Sequence, residues 1–248
     1  MKTVEFGKQN NDVIMLLHGG GLSWWNYKAE AELLKDRYHV VLPILDGHAG
    51  SDNDFISIEK NASRLISFVD KKFGGSVLLI GGLSLGAQIL VEMLTQQNTI
   101  CQNAVIESAS IIPSRMTNAL IKPMFSLSYS LVKMKYFAQM QFDYLHIRKD
   151  LFEDYYQDTS QISKENMIAF LKANTSYEIK PSLQDTHTKV YVLVGEKEQK
   201  KMICSAEQLH KALPGSVLEI KKGLYHGEYS INHPEEYTKE LLDMINTR

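Results

Sequence analysis

The residues with the clearest chemical potential are a serine and the two glycines that flank it. Gly82-Leu83-Ser84-Leu85-Gly86 follows the apolar run Val77–Ile80, which is typical of a strand buried on both faces of a parallel sheet. Glycines two positions before and after a serine allow a strand to turn sharply into a helix, because a Cβ at either position would clash with nearby backbone. Such a turn points the hydroxyl away from the sheet, and the helix N-terminus favours developing negative charge. The pattern predicts Ser84 as a nucleophile.

A second glycine-rich loop lies upstream, and it matters because the serine pattern alone is short enough to arise by chance. The apolar strand Val13–Leu17 ends at His18-Gly19-Gly20-Gly21. Consecutive glycines after a strand let the backbone turn N–H groups into a cavity, where they stabilise an oxyanion in acyl-transfer enzymes. An ordinary flexible loop between a strand and a helix is the alternative interpretation.

Composition and charge limit the classes of function. The chain has 248 residues and 44% hydrophobic composition, which suits one α/β domain with an insertion. Its 27 basic and 29 acidic residues give a net charge of −2, so we expect neither a nucleic-acid nor a membrane partner. Residues Met1–Gly7 lack the apolar segment of a signal peptide, and no stretch is long enough to span a bilayer. Cys101 and Cys204 match no metal site and predict a reducing, cytoplasmic location.

Apolar strands alternate with helical segments over the first part of the chain. We predict strands at Thr3–Phe6, Val13–Leu17, Tyr38–Leu42, Val77–Ile80 and Ala104–Ile106. Strands separated by helices in this order predict a parallel, doubly wound sheet with right-handed crossovers. The loop after the third strand contains His48 between glycines, and we interpret this histidine as structural rather than catalytic.

The strand–helix alternation stops after Ile111-Ile112-Pro113. Residues 113–181 are helical in pattern and rich in Met, Phe and Tyr. We interpret most of these side chains as packing faces and a few as the lining of an apolar pocket for a small-molecule substrate with an apolar part. Strands resume at Lys189–Val194 and Val217–Ile220. The predicted organisation is therefore a core of residues 1–112 and 182–248 with a helical cap inserted at 113–181.

The chain resembles the α/β-hydrolase superfamily over essentially its whole length. The resemblance is carried, in chain order, by His18-Gly19-Gly20, Asp46-Gly47-His48-Ala49-Gly50-Ser51, Gly82-Leu83-Ser84-Leu85-Gly86, Gly195-Glu196-Lys197-Glu198 and His226-Gly227. It implies the α/β-hydrolase fold: a mostly parallel doubly wound sheet with an inserted helical cap. The chain size and the cap position are similar to those of small esterases, C–C hydrolases and menaquinone-pathway members of the superfamily.

The resemblance implies a catalytic triad in the order serine, acid, histidine. Ser84 would be the nucleophile, and a histidine is required to remove its proton. His210, His226 and His233 lie late enough in the chain. His210 falls within a predicted helix and His233 precedes Pro234, which suits the first turn of the last helix. His226 lies in a glycine-flanked loop beyond the last strand and is the expected base.

The acid of the implied triad has three candidates. The superfamily usually has Asp at the third position after the glycine that ends the strand, and this chain has Glu198 there. Its role would be to orient the imidazole and to stabilise the imidazolium. Glu196 and Glu107 are the rivals, the latter because it ends the neighbouring strand.

The implied oxyanion hole is formed by the backbone N–H groups of Gly20 and Leu85, with Gly21 as the alternative to Gly20. These roles predict a serine hydrolase that cleaves a small ester or thioester through an acyl-enzyme and needs neither cofactor nor metal. C–C bond hydrolysis or a lyase reaction on the same scaffold is the alternative. A non-catalytic small-molecule-binding member of the fold is a third hypothesis. The substrate and the oligomeric state stay open.

Overall fold

A computed structural model describes residues 1–246, so the last two residues of the predicted core segment lie outside the described residues. Seven strands form one sheet: β1 (Thr3–Phe6), β2 (Val13–Leu17), β3 (His39–Pro43), β4 (Val77–Leu83), β5 (Cys101–Glu107), β6 (Lys189–Gly195) and β7 (Val217–Lys221). The strand order is β1-β3-β2-β4-β5-β6-β7. β1 pairs with β3 antiparallel, whereas β2 to β7 are all parallel to their neighbours. The predicted mostly parallel, doubly wound sheet is confirmed.

Helices cover both faces of the sheet. They are α1 (Lys28–Leu34), α2 (Ile58–Phe73), α3 (Leu85–Gln96), α4 (Arg115–Val132), α5 (Lys135–Tyr144), α6 (Phe152–Gln161), α7 (Lys164–Ser176), α8 (Lys200–Ala212), α9 (Glu228–Asn232) and α10 (Pro234–Asn246). α2 packs against α3, and α1 packs against α10. Ser57 is the N-cap of α2, and its hydroxyl accepts a hydrogen bond from the N–H of Lys60 at 3.1 Å.

The central strand β2 is an uninterrupted run of apolar residues. Every residue of β2 and β3 is buried, because each strand has a helical layer on both of its faces. Alternate residues of β2 enter opposite cores: Met15 packs into the layer with α2 and α3, and Ile14 into the layer with α1 and α10. An apolar run without alternation is what this arrangement requires.

The chain between β5 and β6 is helical in the described structure, with α4 to α7 in place of a crossover helix. We call the chain from α4 to α7 the cap segment, because it lies within the predicted cap. The division of the chain at residues 113 and 181 stays a prediction. The interpretation of its apolar side chains as packed is wrong for Met116, Met124, Met134 and Tyr136, which are exposed. Met140 and Tyr144 are exposed as well, but they line an apolar cavity, as expected for a few of these side chains.

One buried side chain, that of Gln88, joins the cap segment to the core. Gln88 lies on α3, one turn after Ser84, and is fully buried. Its amide nitrogen donates to the carbonyl oxygens of Ser110 at 2.5 Å and Asn174 at 2.9 Å. Its amide oxygen accepts from Nδ2 of Asn174 at 2.9 Å. Both ends of the α4–α7 segment are thus hydrogen-bonded to the helix that follows the serine.

No helix within residues 1–246 is long and apolar enough to cross a membrane.

Candidate active site

Ser84 occupies the sharp turn between β4 and α3. Its backbone has φ 53° and ψ −109°, which is a strained conformation for a residue with a side chain. A Cβ on Gly82 would lie 2.6 Å from the carbonyl oxygen of Gly86, and a Cβ on Gly86 would lie 2.6 Å from the carbonyl oxygen of His18. The flanking glycines are therefore required sterically, as the sequence predicts, and the turn is anchored where the Ser84 N–H donates to the carbonyl oxygen of Glu107 at 2.9 Å.

His226 lies in the loop between β7 and α9, and its ring contacts a carboxylate. Nδ1 of His226 is 2.6 Å from Oε2 of Glu198, which lies just beyond the end of β6. The Glu198 side chain is fully buried, whereas the His226 side chain is 43% exposed. An imidazole held in this way presents its other nitrogen, Nε2, to the site.

Two further donors hold the second oxygen of Glu198. Oε1 accepts from the Ser108 hydroxyl at 2.6 Å and from the Gly195 N–H at 2.8 Å. Burial on its own would raise the pKa of Glu198, but the contacts with His226 and the hydrogen bonds from Ser108 and Gly195 outweigh it and lower that pKa. Glu198 is therefore a fixed negative charge at neutral pH.

The two rival carboxyl groups lie elsewhere. Glu196 is exposed, and its carboxylate accepts from the Gly223 N–H at 2.8 Å. Glu107 is buried at the end of β5, where its carboxyl accepts from the Ser230 N–H at 3.3 Å. Burial raises the pKa of Glu107 to about 7. Among the described residues, Glu198 supplies the carboxylate hydrogen-bonded to the His226 ring.

Ser84 and His226 meet at one small cavity. Both line a space of about 120 Å³ to which Gly19, Gly20 and Leu83 also contribute. The cavity lies at the carboxyl edge of the sheet, because these residues follow or end β2, β4 and β7. The structure thus brings together three chain segments that lie far apart in the sequence.

The glycine loop after β2 places Gly20 beside the start of α3. A Cβ on Gly20 would lie 3.5 Å from the Leu85 Cβ, so the two backbones are neighbours. Leu85 is the first residue of α3, and its N–H has no acceptor within the helix. The Gly21 N–H, by contrast, donates to Nε2 of His48 at 3.0 Å. Gly20 is therefore better placed than Gly21 to offer an N–H to a ligand.

His48 is the residue that fixes this loop. Its Nδ1 donates to the Asp46 carbonyl oxygen at 3.1 Å, which leaves Nε2 free to accept from Gly21. Burial lowers its pKa to about 4, and its ring stacks on Phe170 with centroids 4.9 Å apart. A neutral, doubly hydrogen-bonded imidazole agrees with its interpretation as a structural histidine.

An apolar cavity of about 390 Å³ lies between the glycine loop and the helices of the cap segment. We call it the cap cavity. Gly20 and Gly21 form its floor, and Phe125, Phe137, Met140, Met167 and Phe170 are among its walls. It shares Gly20 and Leu145 with the small cavity at Ser84.

Sequence reasoning assigned no role to Ser108, although this serine holds the buried carboxylate. Ser108 directly follows β5, and its φ is 57°. A polar residue immediately after a buried strand is the signal that points to it, since the carboxyl ends of parallel strands share one edge. Among residues 1–246, no group of three or more His, Cys, Asp or Glu side chains is arranged to hold a metal ion.

The family comparison covers most of the sequence. The model of the alpha/beta hydrolase family matches residues 14–240. The chain belongs to the alpha/beta hydrolase family. A comparison with curated protein sequences found no significant match.

Solved structures show the same fold across the whole chain of this hydrolase-family member. It is similar to an esterase from Thermogutta terrifontis, with a TM-score of 0.80, 17% identity, and coverage of 99% of this chain and 94% of that one. MenH from S. aureus gives a TM-score of 0.79 at 17% identity, with coverage of 98% and 97%. The enol-lactonase from Burkholderia xenovorans LB400 gives 0.82 at 14% identity, with coverage of 99% and 96%. At these sequence identities, the similarity shows a shared fold and nothing finer.

Proposed function

We propose that this protein is a serine hydrolase that cleaves a small ester or thioester through an acyl-enzyme on Ser84. The observation that carries the proposal is the 2.6 Å hydrogen bond between His226 and the buried carboxylate of Glu198, together with the cavity that His226 shares with Ser84. A hydroxyl, an imidazole and a fixed carboxylate at one site are what nucleophilic acyl transfer requires.

Acylation begins when the Ser84 hydroxyl oxygen attacks the substrate carbonyl carbon. Its proton passes to Nε2 of His226, and the resulting imidazolium is stabilised by Glu198. The carbonyl oxygen becomes an oxyanion that accepts hydrogen bonds from the Gly20 and Leu85 N–H groups, each worth about 3–4 kcal/mol in comparable sites. When the tetrahedral intermediate collapses, His226 returns the proton to the leaving oxygen or sulfur.

Deacylation repeats these steps with water as the nucleophile. His226 takes a proton from water, and the resulting hydroxide adds to the acyl carbon. Collapse of the second intermediate releases a carboxylic acid, and Ser84 leaves with the proton held by His226. The side chains of this chain supply every proton transfer, so the mechanism calls for no cofactor.

The substrate we propose is a small molecule with an apolar part. The cap cavity offers aromatic and methionine side chains next to Gly20, and such a lining favours apolar groups. We also propose a cytoplasmic location, which is supported by two cysteines that stay unpaired, Cys101 in β5 and Cys204 in α8.

The first prediction concerns the nucleophile. Ser84→Ala removes the attacking oxygen, so turnover of p-nitrophenyl butanoate should fall by about a million-fold, to background. The Ser63→Ala variant is the matched control, since Ser63 lies exposed on α2, and it should keep wild-type activity. Full activity in the Ser84→Ala protein would exclude the proposal.

Covalent labelling separates the competing functions. A fluorophosphonate should label wild-type protein on Ser84, and mass spectrometry during ester turnover should detect an acyl adduct at that residue. Turnover of a substrate with a scissile C–C bond, without a detectable adduct, would favour a C–C hydrolase or a lyase. Binding without reaction or labelling would favour a non-catalytic member of the fold.

A further inference from the structure

Two cavities reach the candidate site from different directions. The cap cavity adjoins Gly20. A second space, of about 400 Å³, is also lined by the imidazole; we call it the His226 cleft and define it by His146, Lys197, Glu198, Gln199, Met202, Tyr225 and His226. Tyr144 and Leu145 line both spaces and form the wall between them.

The proposed chemistry distinguishes the two spaces. The carbonyl oxygen of the substrate must lie at Gly20, so the acyl chain extends into the adjoining cap cavity. The leaving atom receives its proton from His226, so the leaving group extends into the His226 cleft. This assignment rests on the proposed function.

Lys197 gives the His226 cleft its charge. Its backbone N–H donates to the Leu224 carbonyl oxygen at 2.9 Å, which fixes the residue against the loop that carries His226. Its ammonium group lies 5.0 Å from the centre of the Tyr225 ring, a ring that also stacks on His146 with centroids 4.0 Å apart. The cleft therefore combines a cation with flat aromatic surfaces.

The nearby carboxylates are engaged with other groups. Glu198 lines the cleft, but its two oxygens accept from His226, Ser108 and the Gly195 N–H. Glu196 accepts from the Gly223 N–H, and Glu228 accepts from the Tyr225 N–H. Within residues 1–246, the ion pairs with N–O distances up to 4.0 Å do not include Lys197. Lys221, on the neighbouring strand, contacts both Glu219 and Glu240. The Lys197 ammonium thus remains available to a ligand.

We propose that the His226 cleft binds a leaving group that bears an anionic substituent, a carboxylate or a phosphate, which pairs with Lys197. The preferred substrate is then an ester or thioester with an apolar acyl chain and an anionic alcohol or thiol portion. The Tyr225 ring supports the uncharged part of that portion, and the anion lies beside the ammonium group.

The test uses two esters that differ in the charge of the leaving group and are closely matched in size. The anionic ester is 4-carboxyphenyl hexanoate, and the neutral ester is 4-carbamoylphenyl hexanoate, which has no second ester bond. Lys197→Met should lower the ratio of kcat/KM for the anionic ester to that for the neutral ester by about threefold to tenfold relative to wild type, mainly through KM. Differences in intrinsic reactivity cancel in this comparison. Lys200→Met, an exposed lysine outside the cleft, is the matched control and should keep the wild-type ratio.

A second measurement separates failure of this inference from failure of the proposed function. Binding of both esters to the Ser84→Ala protein, measured by calorimetry with and without Lys197→Met, needs no turnover. A weaker affinity for the anionic ester alone would support the cleft assignment. The cleft assignment would be overturned if Lys197→Met changed neither the ratio of the two kcat/KM values nor the ratio of the two affinities. In that case, ester turnover that still depends on Ser84 would leave the proposed function intact.

Discussion

Glu198 and Glu107 are two buried carboxyl groups near the ends of neighbouring strands, and their surroundings give them different charge states. Glu198 accepts hydrogen bonds from His226 and Ser108, and these contacts lower its pKa in spite of burial. For Glu107, burial dominates over the hydrogen bond from Ser230 and raises the pKa to about 7. At neutral pH the charge that can stabilise an imidazolium is therefore held by Glu198.

The residue-scale prediction compares these two carboxyl groups. Glu198→Gln replaces the acceptor with a neutral amide and favours the wrong imidazole tautomer, so kcat for an ester substrate should fall by roughly 10⁴-fold. Glu107→Gln is the matched control and should keep most of the activity, because the amide oxygen still accepts from Ser230. Steady-state kinetics on both variants tests the assignment. Loss of activity in Glu107→Gln, with activity kept in Glu198→Gln, would identify Glu107 as the acid of the triad.

The residues that approach the candidate site could be predicted to different extents. Ser84, His226 and Glu198 each follow a recognisable strand, so local patterns and a shared sheet edge locate them. Ser108 and Glu198 are 90 positions apart, and their contact depends on the register between β5 and β6. No local pattern contains that register, and the sequence therefore left the acid open between three residues.

At the scale of elements, α3 does more than position the nucleophile. Its N-terminus faces the site, and one turn later Gln88 makes hydrogen bonds to Ser110 and Asn174 at the two ends of the cap segment. Because α3 follows Ser84 and also contacts the cap segment through Gln88, the position of the cap cavity is coupled to that of Ser84.

Gln88→Leu should therefore loosen the cap segment. The substitution leaves two part-buried carbonyl oxygens without this donor, which costs about 1–3 kcal/mol in free energy of unfolding. Limited proteolysis should cut within residues 115–176 faster than in the wild type. Gln102→Leu is the matched control, since Gln102 is exposed on β5; equal rates and equal stability in both variants would show that Gln88 does not anchor the cap.

Strand boundaries could be predicted with and without full burial. The half-buried β1 and the buried β2 have their predicted bounds, whereas β4 extends from its apolar run through two glycines to Leu83. A short 3₁₀ turn at Trp24–Tyr27 precedes α1. The buried Trp25 donates its indole N–H to Asp158 at 2.9 Å, a contact with the cap segment that local periodicity cannot predict.

At the scale of the whole molecule, a group of ionisable side chains is buried between the sheet and the helices α1 and α10. Glu107 lies there with Glu30, and burial raises the pKa of Glu30 to about 8. The rings of Tyr27 and Tyr237 stack nearby, with centroids 6.2 Å apart. Both carboxyl groups are more readily protonated in the folded protein than in the unfolded chain.

The stabilising contribution of these carboxyl groups should therefore fall as the pH rises, whereas the lowered pKa of the buried His48 acts in the opposite direction. The contribution of Glu107 is complete below its ordinary pKa of 4.5 and is lost as the pH rises through about 7, an effect of up to about 3 kcal/mol. Urea unfolding at intervals between about pH 5 and about pH 8 should show that the stability of the wild type relative to Glu107→Gln declines, because the contributions of Glu30 and His48 are common to both proteins. The same pH dependence in both proteins would show that Glu107 does not contribute.

The architecture of the whole chain could be predicted, but the surface of its cap segment could not. Alternating strands and helices predict a parallel, doubly wound sheet through general connection rules. The Met-rich and Tyr-rich helices α4 and α5 suggested packed faces, yet side chains such as Met116 and Tyr136 are exposed. Periodicity identifies an apolar stripe and does not indicate whether another element covers it.

The exposure of His226 bears on the order of events after acylation. In the proposed mechanism the alcohol or thiol product departs through the His226 cleft while the acyl chain is still held beneath the cap segment. Water then enters by the vacated route, without any need for the cap helices to separate. Small added alcohols have the same access, so the acyl-enzyme is open to competition between hydrolysis and transesterification.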